Sequence, residues 1–451
     1  MAMETGSRRA ATFAALEDPT YRILWLGGLV SFLSVQMEFI SRGWLAYELT
    51  GSNSGLGAVF LGFGVPMLLL TPWGGVVADR LPKRAVLIAS QLALGFSSGA
   101  IALAVSFDVI EYWMLIAGAV VQGAGFSFLG PARMAFTGEL VGPNRLANAI
   151  VLQQMSMNGT RIFGPSIAGA LIGVAFVGIG GVYFLTTVLM LVAVTFTLRL
   201  PPGRPDATRP VRSPFQELGD GVTYVWSRPL LRLLVLTSFA VVMSAFPYVA
   251  FMPTIAEEVF DVGSGGYGAM SAMSAVGALA ASVFIASRAE GPSAWRVQAG
   301  AGAVFAVGVG LLGFIPSFLL ALLVLLVIGA ASSAFQSLNN ALVLSNSDRA
   351  YHGRVQSLMM LSFSGFGIAA LPIGLLADAV GIATTLAGMG IVALLAVIGY
   401  SVARARILAG DPGAEGAHHL TVDGVPDAIA TPPAGATGVP APGPPMRSHR
   451  R

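Results

Sequence analysis

Long apolar runs, one after another, decide what this chain of 451 residues can fold into. A helix that crosses lipid needs about 20 predominantly apolar residues, and roughly twelve runs of that length can be read between Gly/Pro and charge punctuation. Their approximate limits are 22–46, 55–78, 84–106, 112–135, 147–173 and 177–199, then 231–255, 266–287, 296–315, 317–345, 353–378 and 382–405. They are too long and too uniformly apolar for the short alternating strands of a membrane barrel. Only 10% of residues are charged and 55% are apolar, against about 25% charged in a soluble domain. The expectation is an all-α membrane protein with about twelve transmembrane helices.

The cations fall on one side of these spans. Arg8, Arg9 and Arg22, then Arg80, Lys83 and Arg84, then Arg133 and Arg145 share it with the arginines of the segment around 200–228, with Arg288, Arg296, Arg349 and Arg354, and with the tail from Arg404. The opposite loops carry Glu48, Asp108, Glu111, Glu257, Glu258 and Asp261 without Lys or Arg. Lys and Arg near span ends are retained in the cytoplasm, so both termini are expected there, in the cytoplasmic (inner) membrane. The arginine-bearing segment 1–21 runs into a span too long for a signal peptide. From 407 to 451 the chain is rich in Pro, Gly and Ala and predicts a disordered cytoplasmic tail; His418, His419 and His449 lie in it.

Several function classes drop out. The scattered arginines form no basic stripe for nucleic acid. A Walker loop needs Gly-Lys-(Ser/Thr), and the sole lysine, Lys83, follows a proline. Four histidines without a His-Glu-x-x-His pattern, and no cysteine, support no zinc site. Neither an enzyme nor a bound cofactor or metal is expected. Uphill transport would then draw on an ion gradient.

The halves repeat weakly. Arg22-Ile-Leu-Trp-Leu and Arg232-Leu-Leu-Val-Leu open corresponding spans, each arginine precedes a glutamate (Glu48, Glu258) by the same separation, and Gly55-Leu-Gly-Ala is echoed by Gly266-Tyr-Gly-Ala. This reads as two six-helix bundles, 22–199 and 231–406, joined by a linker loop over 200–230. Such a duplication puts a substrate cavity between the halves near the membrane midplane.

Ionisable residues within spans are costly and mark function. Glu38 lies about 24 Å along the first span from Arg22, and Arg161 about 21 Å along the fifth, at 1.5 Å per residue. Their similar depth makes them candidate partners in a proton-coupled switch; Arg42, one turn beyond Glu38, is a rival partner. A static structural ion pair is the alternative. The fifth span also holds Asn158-Gly-Thr-Arg161-Ile-Phe-Gly164-Pro165-Ser-Ile-Ala168-Gly169, whose proline and glycines predict a kinked, tightly packed helix.

The turn Gly75-Val-Val-Ala-Asp79-Arg80-Leu-Pro-Lys83-Arg84 places a carboxylate and several cations at helix ends, where dipoles and neighbouring charges suit a gate. It resembles the loop between the second and third helices of major facilitator superfamily transporters. The stretch Asn158 to Gly169 resembles the Gly-Pro antiporter motif of superfamily exporters, with Ala168 where a glycine is usual. Trp44 to Ser52, Pro131-Ala-Arg133 through Glu139-Leu-Val, and Arg145-Leu-Ala-Asn148-Ala are similar to the bacterial efflux branch that includes siderophore (enterobactin) and macrolide exporters. The resemblance runs from about Phe13 to Arg406.

That resemblance implies the major facilitator fold, with Asp79 and Arg80 fastening the halves near Arg354 when the protein is open outward. It implies that the first, fourth, seventh and tenth spans line the cavity, making Gln36, Gln122, Phe126, Tyr248, Phe251, Gln336 and Asn339 candidates for substrate contact. The implied function is export of a small organic molecule, a drug or siderophore, in exchange for protons, by a monomer in the bilayer. Two departures stand out: Ala119 replaces the arginine of a second exporter motif at Gln122-Gly-Ala-Gly125, and Val35 stands where relatives often carry an acid. An importer of a polar nutrient, or a non-transporting membrane sensor or assembly protein, are the other readings.

Overall fold

Backbone polar groups in lipid must be satisfied within the segment itself, and the computed structural model is accordingly helical, with no strand among the described residues, 14–203, 214–285, 293–348 and 351–410. Residues 411–451 of the expected tail and most of the amino-terminal segment lie outside them, while 407–410 continue the last helix. After a 3-10 turn at Ala14–Glu17, the first six spans are α1 (Pro19–Thr50), α2 (Asn53–Arg80), α3 (Lys83–Ser106), α4 (Tyr112–Gly142), α5 (143–172) and α6 (Gly178–Leu198). A linker helix α7 (Pro214–Trp226) precedes the second six. These are α8 (Pro229–Ser244) with its broken continuation, α9 (Gly263–Ile285), α10 (Ser293–Leu312), α11 (Phe318–Ser345), α12 (His352–Val380) and α13 (Ile382–Gly410). Among the described residues ten helices are long and apolar enough to cross a membrane; α5 and α9 complete the bundle. The architecture is the expected all-α membrane fold.

Three local departures from the expected spans have plain causes. The fourth and fifth spans run together through a kink at Gly142, φ 66°, ψ 175°. Pro143 cannot donate to the preceding turn and drives its neighbour out of the helical region, and glycine takes the positive φ without strain. The seventh span is not continuous over 231–255. It breaks after Ser244 into a 3-10 turn (Phe246–Val249), a short turn (Met252–Thr254) and a π turn (Ile255–Val259), as Pro247 and Pro253 each remove a donor. The linker is not all loop. Tyr224 of α7 stacks on Tyr351 at 4.0 Å and accepts from the Asp348 amide at 2.7 Å, and Asp220 pairs with Arg354 at 3.7 Å, fastening α7 to the second half.

The end of the bundle bearing Arg80, Lys83 and Arg84 is its basic end, and that bearing Glu48, Glu111 and Glu258 its acidic end. Core packing differs between them. One large apolar cluster joins both halves, running from Met37, Trp44, Leu56 and Tyr183 to Tyr248, Met270 and Phe305. Toward the basic end the core divides: Tyr21, Leu87, Leu129 and Phe136 pack within the first half, and Val225, Leu234, Leu338 and Val355 within the second.

Glycine sets the closest approaches across the acidic side. A Cβ on Gly64 would stand 2.9 Å from the Gly367 Cα, one on Gly374 2.3 Å from the Asn53 carbonyl, and one on Gly169 2.6 Å from the Gly268 Cα. Helix backbones therefore touch between α2 and α12 and between α5 and α9, the close crossing that small residues permit. Every described glycine that meets the opposite half this closely lies in the acidic half of its span.

Candidate functional site

The deepest charge in the first half is an ion pair on one helix face. Glu38 is 1% exposed and Arg42 4%; they are one turn apart on α1 and bonded to each other, and Arg42 also donates to the Gln122 carbonyl oxygen of α4. Ser98 of α3 and Tyr183 of α6, both buried, lie beside the pair. Four helices thus enclose one salt bridge. The Arg42 side of the pair opens on a small pocket walled by Phe39, Val59, Phe60 and Phe63. Glu38 Oε2, Arg42 Nε and Gln122 Nε2 have no hydrogen-bond partner there. Such partly satisfied groups in a low dielectric make a high-energy arrangement, sensitive to a proton, a water or a ligand group.

Of the two partners considered for Glu38, the structure brings it to Arg42. Arg161 sits elsewhere. Its side chain is exposed, yet it is two residues before Phe163, about 160° round α5 from the exposed stripe of Phe163, Ile167 and Val174. Gly164 faces Gln36 of α1, and Gly169 faces Gly268 of α9. At 100° per residue Arg161 points between those two directions. It therefore faces the space between the halves, not lipid. Asn158 lies one turn earlier on α5, its side chain outside the described set.

The charged turn is anchored within its own half. Lys83 Nζ pairs with Glu139 at 3.1 Å, and Arg84 donates to the Leu200 carbonyl at 2.9 Å. Asp79 is half-buried, Arg80 exposed, and Gly75 faces open space. Arg354, the expected partner region, pairs with Asp220 of the linker helix in this conformation.

At the acidic end a carboxylate crosses between halves. Asp378, at the end of α12, accepts from the Asn53 and Ser54 amides at 2.7 and 2.9 Å, while Ser52 accepts from Gly55 at 3.1 Å. The first turn of α2, whose amides have no intrahelical partner, is capped by the other half. Near it, Tyr47 donates to Glu258 at 3.3 Å and Trp44 stacks on Tyr267 at 6.1 Å. The Asp378 latch is not among the sequence expectations; the signal available was a carboxylate at one span's acidic end and, at another's, a first turn with more amides than its Ser52 cap can take.

The expected cavity residues divide. Gln36, Phe126 and Gln336 are half-buried, whereas Gln122, Tyr248, Phe251 and Asn339 are enclosed. Gln122 serves Arg42, Tyr248 bonds Ser274 at 3.1 Å, and Asn339 accepts from Gln298 at 3.1 Å. Phe251 is packed in the shared core.

A profile of the transmembrane secretion effector family matches residues 10–419. The staphyloferrin A transporter of Staphylococcus aureus (strain NCTC 8325 / PS 47) is 24% identical over 74% of this chain and 85% of its own. The enterobactin exporter EntS of Shigella flexneri is 25% identical over 75% and 80%. The macrolide efflux protein A of Streptococcus pyogenes is 25% identical over 34% of this chain and 37% of its own. Among solved structures, the nucleoside transporter NupG superposes with a TM-score of 0.68 at 14% identity, covering 85% of this chain and 98% of that one. A POT family transporter in complex with 5-aminolevulinic acid gives 0.67 at 12% identity, over 87% and 96%. Those two likenesses establish the shared fold. Matched along most of its length by that profile and built on the major facilitator fold, this chain is a membrane transporter belonging to the transmembrane secretion effector family.

Proposed function

We propose that the protein is a secondary active exporter that exchanges protons for a small organic molecule, of the drug or siderophore kind, by alternating access. The observation that carries the coupling is the enclosed Glu38–Arg42 pair, held by four helices of one half. Export direction and substrate class draw on the names of the relatives. The basic end faces the cytoplasm, by the retention of Lys and Arg there, and the protein works as a monomer of two six-helix halves joined through α7.

In this conformation the halves share a core at the acidic side and have separate cores at the basic side, so it is the state facing the cytoplasm. A charged Glu38 is then at its most useful, because it holds Arg42 in place. Protonating Glu38 leaves Arg42 buried with only neutral neighbours, Gln122 and Tyr183, and an uncompensated buried charge costs about 3–5 kcal/mol. That penalty is relieved when the surrounding helices let water or a substrate group reach the guanidinium, which couples the proton to the change of state. Arg161, one turn before the Gly164 that meets Gln36 of α1 and turned toward the space between the halves, is the proposed cation for substrate contact. Asp79 and Arg80 gate the basic side, closing toward Arg354 when the acidic side opens.

The test is exchange in proteoliposomes with an internal pH reporter, an imposed proton gradient, and a panel of macrolides and siderophores. The wild-type protein should show substrate-induced proton flux. Glu38→Gln should bind substrate but move no protons against it. Proton exchange at the normal rate in Glu38→Gln would remove the coupling role, and no flux with any substrate or ion would remove the transport reading itself.

A further inference from the structure

Arg133 of α4 counts in the sequence among the basic-side loop cations, but it is not in a loop. It is 3% exposed, nine residues before Gly142, or about 14 Å along the helix from the basic end. Its guanidinium stands 4.8 Å above the Phe32 ring, and its Nε and Nη1 have no hydrogen-bond partner. The surrounding pocket is walled by Trp25, Gly28 and Phe32 of α1, Thr137 of α4, and Gln153 and Ser156 of α5. None of the residues lining it is acidic.

A lone cation at this depth is expensive even after relaxation. A cation–π contact offsets only a part of that, so the ring alone does not account for it. The pocket is nonetheless built around the guanidinium. A Cβ on Gly28 would lie 2.3 Å from Arg133 Nη1, so this glycine makes its room. Tyr21 donates to the Ala149 carbonyl at 2.8 Å and Trp25 to that of Leu152 at 3.1 Å, which pins α1 against α5 and fixes the walls. The Thr137 and Ser156 hydroxyls are already donated to main-chain carbonyls of their own helices. Free donors aimed at the space therefore come from Arg133, and the buried Oε1 of Gln153 also lacks a partner, leaving its amide group free to turn either end toward a ligand. The enclosed room is about 10 Å³, one water's worth, so only the oxygens of a charged head enter it and the rest of the ligand stays in the open mouth of the pocket.

We propose that this pocket, separate from the Glu38–Arg42 site, binds an oxyanion: a carboxylate or phosphate group that pairs with Arg133 and is oriented by Gln153. The shared chemistry is a charge-assisted, two-point hydrogen bond to a guanidinium. The group can arrive on an anionic lipid or on a free small anion. The assignment is independent of transport direction and coupling ion.

Thermal unfolding of the full chain in nanodiscs, compared between wild type and Arg133→Gln, tests it. In one arm inorganic phosphate or citrate is titrated into discs of zwitterionic lipid; in the other, phosphatidylglycerol replaces the zwitterionic lipid at fixed ionic strength. A saturable rise in melting temperature in the first arm, lost in Arg133→Gln, assigns the site to a free anion; a rise confined to the second assigns it to a lipid headgroup. Gly28→Ala keeps the charge but displaces the guanidinium, and should weaken half-saturation by about tenfold or more, as expected when one partner of a buried charge pair is disturbed. This second variant serves if Arg133→Gln does not fold. Equal responses in wild type and variants, or no response of wild type in either arm, would overturn the proposal.

Discussion

Replacing Asp378 by alanine should shift the protein between its two states without touching the interior of either half. Its carboxylate takes the Asn53 and Ser54 amides at 2.7 and 2.9 Å, groups that the first turn of α2 cannot satisfy itself. Loss of an N-cap oxygen costs about 0.5–2 kcal/mol. Because Asp378 is exposed, screening by water holds the effect to the middle of that range, about 1 kcal/mol. In the state where the acidic side is apart, amides and carboxylate are both hydrated, so the whole difference falls on the conformational equilibrium. About 1 kcal/mol is a factor of about five in the ratio of states.

The chain has no cysteine, which leaves Val109→Cys and Ser317→Cys free to carry a spin-label pair, one in each half, on the acidic-side loops. Their distance distribution should be dominated by the short component in the parent. Asp378→Ala should lower the short-to-long ratio about fivefold, and Asp378→Asn, which keeps one acceptor oxygen, should lower it less. An unchanged distribution in Asp378→Ala would refute the latch. Equal shifts in the alanine and asparagine variants would refute the capping argument, leaving only loss of charge.

Two further substitutions probe the same packing. Gly367→Leu places a Cβ that already stands 2.5 Å from the Phe60 carbonyl, so overpacking of about 1–3 kcal/mol should favour the state open at the acidic side by the same label pair; Gly388→Ala, with nothing within 4 Å of its Cβ, should leave the ratio unchanged. Gly142→Ala forces a side chain onto φ 66°, ψ 175°, a conformation costing about 1–3 kcal/mol outside glycine, and should lower the melting temperature; an unaltered melting temperature would show that the kink relaxes freely.

Span existence was legible because apolar length is a property of the sequence alone, and ten of the helices meet that test directly. The fifth span, which does not, is informative. The α5 limb carries Asn148, Gln153, Gln154, Asn158 and Arg161 and packs against α9 of the other half. At such a contact a span need not be apolar all round. The break in the seventh span was also written in the chain, as Pro247 and Pro253. It was hidden because an apolar run gives no count of which backbone donors are missing.

Depth along a helix could be read from the sequence, but rotation could not. Glu38 and Arg161 were matched by depth, yet Arg161 points between α1 and α9 while Arg42, one turn along the same face, reaches Glu38. The i, i+4 relation is local and needs no fold; pairing across helices needs the angle at which each face turns. Arg133 shows the same limit in the opposite sense. Charge placed it with the loop cations, whereas the adjoining Gly28 lets α1 close over it, and a contact between residues so far apart in sequence leaves no periodic trace.

Where contacts between the halves fall explains how one buried pair can act on a whole bundle. The shared core occupies the acidic side and includes Met37, the neighbour of Glu38 on α1, together with Tyr183, which lies beside the pair. Gly43 and Trp44, the next turn of α1, meet Pro253 and Tyr267 of the second half. A shift of α1 that relieves an unpaired Arg42 is therefore transmitted to the opposite half within one helical turn. No longer chain of contacts is required, because the helix that carries the charge also forms the interface.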